Sequence, residues 1–112
     1  MASTDELWLV DFGDPFPGEP AARRPALVIG PVEPFSAGLP YVIVVPLTTT
    51  RRGLDLHVEI DADPAAGLEV TSYAQCELLR SVSGRRLVHR LGRVDLATHF
   101  AVDDVVRALL GH

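Results

Sequence analysis

Short apolar runs separated by glycine, proline and acidic residues recur along this chain. Such runs occupy residues 6–12, 25–31 and 41–47, and the third is almost continuously apolar, as is typical of a strand buried on both faces. Each run is only about seven residues long and is followed by turn-forming residues, which favours a β-strand over a helix. The pattern therefore predicts three strands in the first half of the chain, the third of them central in its sheet.

The second half contains three further strand candidates. Residues 54–60 alternate between apolar and polar side chains, which predicts a half-buried strand with His57 on its outward face beside acidic residues. Residues 72–77 and 87–94 complete a set of about six short strands separated by turn signals. Since no strand–helix–strand alternation occurs, the sequence favours a barrel over a layered α/β fold.

Two segments depart from the strand pattern. Residues 13–24 are rich in proline and glycine, which predicts a surface loop of a length usually associated with function. Residues 95–110 are predicted to form a helix, with Asp95 as its N-cap and Gly111 just beyond its end. An apolar stripe predicts that this helix packs on the barrel, and the stripe consists of Val102, Val105, Val106, Leu109 and Leu110.

Composition limits the class of protein. The 112 residues are expected to form one domain, residues 1–112. No stretch approaches the roughly 18 uncharged apolar residues of a membrane span, and no export signal is recognisable, which favours the cytoplasm. The single cysteine, Cys76, is expected to be a buried small apolar residue. Since the four histidines have no paired spacing, we expect neither a metal site nor a cofactor.

Charge is segregated along the chain. The formal net charge is −5, yet residues 1–19 carry five acids and no base, whereas residues 80–93 carry five arginines and no acid. One end of the fold is therefore expected to be locally basic. All ten basic residues are arginines, whose planar fork pairs with phosphate and stacks on bases. A GC-rich genome would produce the same excess, so the arginines alone do not establish nucleic-acid binding.

Five segments, taken in order, resemble one known family. They are ELWLVDFGDP, GEPAARRPALVIGP, VIVVPLTTTRRGLDLHVEI, SYAQCELLRSVS and RRLVHRLGRVD, and they span nearly the whole chain. Each is unspecific alone, but their order and spacing resemble the MazF/PemK family of endoribonuclease toxins from type II toxin–antitoxin systems. The resemblance implies a mainly β fold, an SH3-like barrel of the CcdB/MazF type with a C-terminal α-helix. It also implies a homodimer that cuts single-stranded RNA sequence-selectively without the ribosome, and a cognate antitoxin protein that blocks it.

The resemblance also implies three catalytic residues. The family's Arg before Pro in the second strand falls on Arg24, its Thr after the third strand on Thr48, and its acidic loop residue on Glu19. RNA cleavage without a metal uses the ribose 2′-OH as nucleophile and leaves 2′,3′-cyclic phosphate and 5′-OH ends. An arginine fork and a hydroxyl donor suit the stabilisation of a phosphorane. Because arginine is a poor base, Glu19 is the candidate for proton abstraction.

A second group of residues is expected to contact RNA. It consists of Arg23, Thr49, Arg51, Arg52, Arg80, Arg85 and Arg86. The alternative for those arginines that lie in turns is that their charge is exposed to solvent and does not contact phosphate. The sequence departs from the family at Leu78, where many relatives carry Gln, and in the loop after Glu19, where Pro-Ala-Ala replaces Gln-x-Gly. Both departures predict an altered or relaxed RNA sequence preference.

Two other functions are compatible with the same barrel. One is a CcdB-like gyrase poison, which acts by binding a protein, and the other is a non-catalytic SH3-like interaction module. Neither requires the RRP and PLTTT motifs together, which contain Arg24 and Thr48. The two motifs therefore favour the nuclease.

Overall fold

Strands dominate the computed structural model, which describes residues 2–14, 16–18 and 22–112. In this part of the chain the strands are β1 (Glu6–Asp11), β2 (Arg23–Gly30), β3 (Tyr41–Thr48), β4 (His57–Ile60), β5 (Ser72–Gln75), β6 (Arg80–Ser83) and β7 (Leu87–Arg93). The helix α1 spans Leu96–Leu110. Two 3₁₀ turns, Cys76–Leu78 and Gly84–Arg86, flank β6. The described residues include no helix of the length and hydrophobicity that crossing a membrane requires.

The strands form one antiparallel sheet in the order β4-β5-β3-β2-β1-β7. The strand β3 changes partner along one edge, because its first half pairs with β6 and its last two residues pair with β5. Between the two stretches lies Pro46, which has no N–H to donate to a neighbouring strand. The predicted central position of this run in the sheet is confirmed.

The central strands bury both faces. Along β2, Leu27 packs into one core while Ala26 and Val28 pack into another. The first, the helix-side core, includes Val102 of α1, and the second, the strand-side core, lies between β1, β2, β3 and β6. Two-sided burial explains why the β2 and β3 sequences are almost continuously apolar instead of alternating.

The helix α1 begins and ends as predicted. Asp95 accepts a 2.8 Å hydrogen bond from the backbone N–H of Thr98, and Gly111 ends the helix in the left-handed conformation with φ 78°. The helix packs over β4 and the Cys76–Leu78 turn. The predicted apolar stripe is only partly correct, because Leu109 and Leu110 are exposed. They follow the residues that contact the barrel and form the last turn of the helix.

A side-chain contact joins α1 to the start of β1. His99 Nδ1 lies 2.6 Å from Asp5 Oδ1. The backbone of Asp5 is also fixed, since its N–H donates to Val28 and its carbonyl accepts from Val94, both at 2.9 Å. Asp5 thus connects β1, β2 and the entry to the helix.

The elements differ from the expectation by more than one residue in four places. The strand β2 begins at Arg23 and not at residue 25, so the last two residues of the predicted loop 13–24 belong to a strand. Residues 54–56 do not belong to a strand, and β4 begins only at His57. The strand β5 ends at Gln75, two residues earlier than predicted, because the 3₁₀ turn begins there. The strand β6 was not predicted, since Val82 is its single apolar residue and gives no recognisable pattern.

Two backbone segments approach each other closely at Gly92 on β7. A Cβ at this position would overlap the carbonyl carbon of Ala66 and lie 2.5 Å from the carbonyl oxygens of Ala65 and Ala66. The N–H of the next residue, Arg93, donates to Ala65 at 3.0 Å, so the segment cannot withdraw without breaking this bond. Glycine is therefore required at position 92.

We expect Gly92→Ala to lower the free energy of unfolding by about 3 kcal/mol, at the upper end of the cost of inserting a methyl group into a packed site. Gly84→Ala is the matched control, because its Cβ would meet Pro40 at an ordinary 3.5 Å. We expect it to change stability by less than about 0.5 kcal/mol. Denaturant unfolding measures both, and equal stability of the two variants would contradict the close approach.

Candidate active site

A pocket of about 310 Å³ lies where β2 begins and where β3 and β5 end. It brings together residues from four separate segments of the chain. The lining residues are Gly18, Arg24, Thr48, Arg52, Leu54, Gln75, Glu77 and Leu78. The predicted catalytic pair Arg24 and Thr48 therefore shares one cavity, although 24 positions separate the two residues in the sequence.

Strand register explains this proximity. Ala26 of β2 lies opposite Pro46 of β3. Continuing this antiparallel register for two more residues, towards the start of β2 and the end of β3, places Arg24 opposite Thr48. Alternation also places Arg24 on the same face as Ala26, so the pocket adjoins the strand-side core.

The guanidinium of Arg24 is only partly paired. Its Nη1 donates a 3.2 Å hydrogen bond to Oε1 of Gln75, which is buried. Its Nε is buried and has no hydrogen-bond partner among the described residues. Burial lowers the pKa of Arg24, and the like charge of Arg52 lowers it further. A buried unpaired donor costs about 1–3 kcal/mol, so this geometry favours an anion in the pocket.

The hydroxyl of Thr48 is arranged as a donor. Its Oγ1 accepts a 3.2 Å hydrogen bond from the backbone N–H of Thr50. Because an ST-turn of this kind uses the oxygen lone pair, the hydroxyl proton is free to bind an oxygen in the pocket.

A histidine–glutamate pair lies at the edge of the pocket, which Glu77 lines. His57 Nε2 lies 2.8 Å from Glu77 Oε2, and the two side chains are 3% and 28% exposed. His57 Nδ1 and Glu77 Oε1 are both buried without a hydrogen-bond partner in the described part of the chain. The expectation that His57 is an outward-facing surface residue is therefore wrong. His57 and Glu59 lie on one face of β4, and both line a cavity together with residues 51–55.

A second cavity, of about 260 Å³, lies on the other side of this pair. His57 lines it together with Arg51, and Arg52 and Leu54 line both cavities. The two cavities therefore form adjoining parts of one polar surface. Within the described ranges no three His, Cys, Asp or Glu side chains are grouped as metal ligands would be.

Some of the remaining predicted site residues lie near this surface. Arg51 and Arg52 line it, and Thr49 is exposed directly after Thr48. Glu19 lies outside the described residues, although Gly18, which precedes it, lines the pocket.

The other predicted RNA contacts line neither cavity. Arg23 pairs with Asp11 at 3.8 Å, and Arg86 donates to the Asp11 carbonyl at 3.3 Å. The Arg80 guanidinium stacks 5.5 Å above the Phe12 ring, and Arg85 is exposed. The predicted roles of these four arginines in RNA binding stay predictions.

Sequence reasoning missed Gln75 and Glu77. Both follow a small apolar residue in the run Ala74-Gln75-Cys76-Glu77, and Ala74 and Cys76 are fully buried in the helix-side core. This alternation would have placed the Gln75 and Glu77 side chains together on the opposite face.

Comparisons with known proteins identify the family. The sequence profile of the PemK-like, MazF-like toxins of type II toxin–antitoxin systems matches residues 4–110. The chain belongs to this family. A curated relative, endoribonuclease MazF9 of Mycobacterium tuberculosis, is 30% identical over 112 residues, covering 96% of this chain and 94% of that protein.

Solved structures of the family share the fold. The crystal structure of MazF from Deinococcus radiodurans has a TM-score of 0.84 at 22% identity, covering 99% of this chain and 97% of the other. An endoribonuclease from a mycobacterial species, in complex with its cognate antitoxin, has a TM-score of 0.80 at 21% identity, covering 99% and 96%. The predicted mainly β, SH3-like barrel of the MazF type with a C-terminal helix is confirmed.

The thiol of Cys76 lies between the two missed site residues but is expected to be inert. Burial raises its pKa to about 11, and the neighbouring Glu77 carboxylate contributes to the rise. At pH 8 only about one thiol in a thousand would then be the reactive thiolate. We expect a disulfide reagent to modify the native protein negligibly at pH 8 and the urea-unfolded protein rapidly. Equal rates in both states would contradict the burial of this side chain.

Proposed function

We propose that this toxin is an endoribonuclease that cleaves single-stranded RNA by attack of a ribose 2′-OH on the adjacent phosphate, without a metal ion. The convergence of Arg24, Thr48 and the Glu77 carboxylate on one pocket is the observation that supports it most directly. The curated relative named as an endoribonuclease is 30% identical over nearly the whole chain, which supports the same activity.

The proposed reaction assigns one task to each group. The scissile phosphate occupies the pocket, where the guanidinium of Arg24 and the hydroxyl of Thr48 donate to its non-bridging oxygens. The bond from the 2′-oxygen to phosphorus forms and the bond to the 5′-oxygen breaks, which leaves a 2′,3′-cyclic phosphate. Donors aimed at the charge of such a transition state contribute about 10²–10³ in rate each, by analogy with oxyanion holes.

Proton transfer needs a base and an acid. Glu77 is the proposed base, because its carboxylate lines the same pocket as Arg24, its Oε1 has no partner in the described chain, and a carboxylate can accept the 2′-OH proton. Glu19, the base predicted from sequence, is the alternative within the same proposal. Burial and Arg52 make Arg24 more acidic than an exposed arginine, which suits it to protonate the 5′-oxygen.

The adjoining cavities suit a strand of RNA. Arg51 and Arg52 supply positive charge along them, while Leu54 and Leu78 offer apolar surface to the bases. An apolar side chain at position 78 cannot read a base edge by hydrogen bonding, so we propose that sequence selectivity depends on other contacts. The protein is further proposed to act as a cytoplasmic homodimer and to be neutralised by its cognate antitoxin.

A binding-only function would leave the pocket chemistry unexplained. A gyrase poison or an SH3-like interaction module needs neither a partly paired guanidinium nor a carboxylate in the same pocket. Because each unpaired buried group weakens the fold, their grouping in one pocket favours catalysis.

We expect Arg24→Ala and Arg24→Lys to cleave a long single-stranded RNA at least about 10²-fold more slowly than the wild type in the presence of EDTA. The lysine variant keeps the charge but loses the planar fork. Primer extension locates the cuts, and end-group analysis identifies the cyclic phosphate. Arg107→Ala is the matched control and should cleave normally, because Arg107 is exposed, pairs with Asp103 on α1 and lines neither cavity.

Two outcomes would contradict the proposed function. A wild-type protein that cuts no RNA would exclude the nuclease, and cleavage that EDTA abolishes would exclude the metal-free mechanism. A folded Arg24→Ala variant with full activity would remove Arg24 from the reaction. Circular dichroism of every variant establishes that the fold is retained.

We expect the double variant Arg51→Gln/Arg52→Gln to bind 2′-O-methylated single-stranded RNA more weakly and with a smaller dependence on salt. The slope of log affinity against log salt should fall by about 1.4, or about 0.7 for each lost phosphate contact. Fluorescence anisotropy across a salt series measures this slope. An unchanged slope would mean that both arginines are solvated in the complex.

A further inference from the structure

One cross-strand pair of residues supports both charged groups of the pocket. His57 of β4 lies directly opposite Gln75 of β5. Gln75 holds the Arg24 guanidinium through Oε1 at 3.2 Å, and His57 contacts the Glu77 carboxylate at 2.8 Å. The β4–β5 register therefore fixes how Arg24 and Glu77 are placed relative to each other.

The contact between His57 and Glu77 is poorly suited to a purely stabilising role. Each partner uses one atom in the bond and leaves its other polar atom buried and unpaired within the described residues. A well-packed apolar pair would avoid both unpaired atoms. The arrangement does, however, orient the carboxylate, because it engages Oε2 and leaves Oε1 without a partner in a side chain that lines the same pocket as Arg24.

We propose that His57 is a positioning residue for catalysis, which holds the Glu77 carboxylate in the orientation in which it receives the 2′-OH proton. This proposal rests on the proposed RNA cleavage and on Glu77 as its base. The imidazole donates Nε2–H to Oε2 and does not touch the RNA. Its 3% exposure keeps the ring from rotating, so the carboxylate is held in one orientation through the reaction.

The first test compares two replacements of His57 in the full-length protein. His57→Leu removes the donor, and we expect kcat for a short RNA substrate to fall about 10- to 100-fold, the range found when a partner that orients a ligand is removed elsewhere. KM should change less than about three-fold, since His57 makes no contact with RNA. His57→Gln keeps an N–H donor on a side chain of similar reach and should restore most of kcat.

The matched control is His89→Leu, the same substitution at an exposed histidine on β7. It should leave kcat unchanged. Thermal unfolding and circular dichroism accompany each variant, and His57→Gln remains informative if His57→Leu does not fold. A folded His57→Leu or His57→Gln variant that raises KM while keeping kcat would overturn the positioning role.

A double-mutant cycle tests whether His57 acts through Glu77. In a Glu77→Gln background, adding His57→Leu should slow cleavage no further, because the group that it orients is already absent. Equal additional loss in both backgrounds would overturn the proposal. The failure of the proposed function is a different result, namely that the wild type cuts no RNA. The role proposed for His57 fails if the wild type cuts RNA and the effect of His57→Leu does not depend on Glu77.

Discussion

The change of partner along one edge of β3 governs the architecture of the pocket. β3 pairs with β6 up to Val44 and with β5 from Leu47, and Pro46, between them, cannot donate a strand hydrogen bond. The segment that connects β5 to β6 therefore separates from β3, and it does so through the Cys76–Leu78 turn. This turn carries Glu77 into the pocket and buries Cys76 in the core. A constraint on hydrogen bonding thus determines where a carboxylate enters the pocket that Arg24 lines.

Along the segment from Ala74 to Glu77, residues that pack in the core alternate with residues that line the pocket. The side chains of Ala74 and Cys76 fill the helix-side core, whereas those of Gln75 and Glu77, the residues that follow them, line the pocket. Substituting the apolar pair would disturb packing, while the polar pair contributes little apolar burial. Three buried polar atoms without partners in the described chain occur at this pocket, on Arg24, His57 and Glu77. Their cost of about 1–3 kcal/mol each is offset by the two cores around them.

The sequence predicted well wherever one physical effect dominated. Two-sided burial made β2 and β3 recognisable, and capping residues gave both ends of α1. Resemblance singled out Arg24 and Thr48, but it could not show that the His57 side chain is buried, because its contact with Glu77 joins positions 20 residues apart. Nor could it find Gln75 and Glu77, whose importance depends on cross-strand register. Such contacts join distant parts of the chain and leave no local periodicity.

The net charge of the protein is a poor guide to what the pocket binds, because opposite charges that form ion pairs elsewhere cancel each other. Arg90 and Arg107 form close ion pairs with carboxylates, whereas within the described ranges no carboxylate lies within 4.0 Å of the guanidinium nitrogens of Arg24, Arg51 or Arg52. Arg24, Arg51 and Arg52 therefore bring uncompensated positive charge to the pocket of a protein whose formal net charge is −5, although Arg80, Arg85, Arg86 and Arg93 also have no carboxylate partner within the described ranges. Gln75 maintains this difference, since its neutral amide holds Arg24 in place without compensating its charge, which a glutamate in the same position would do.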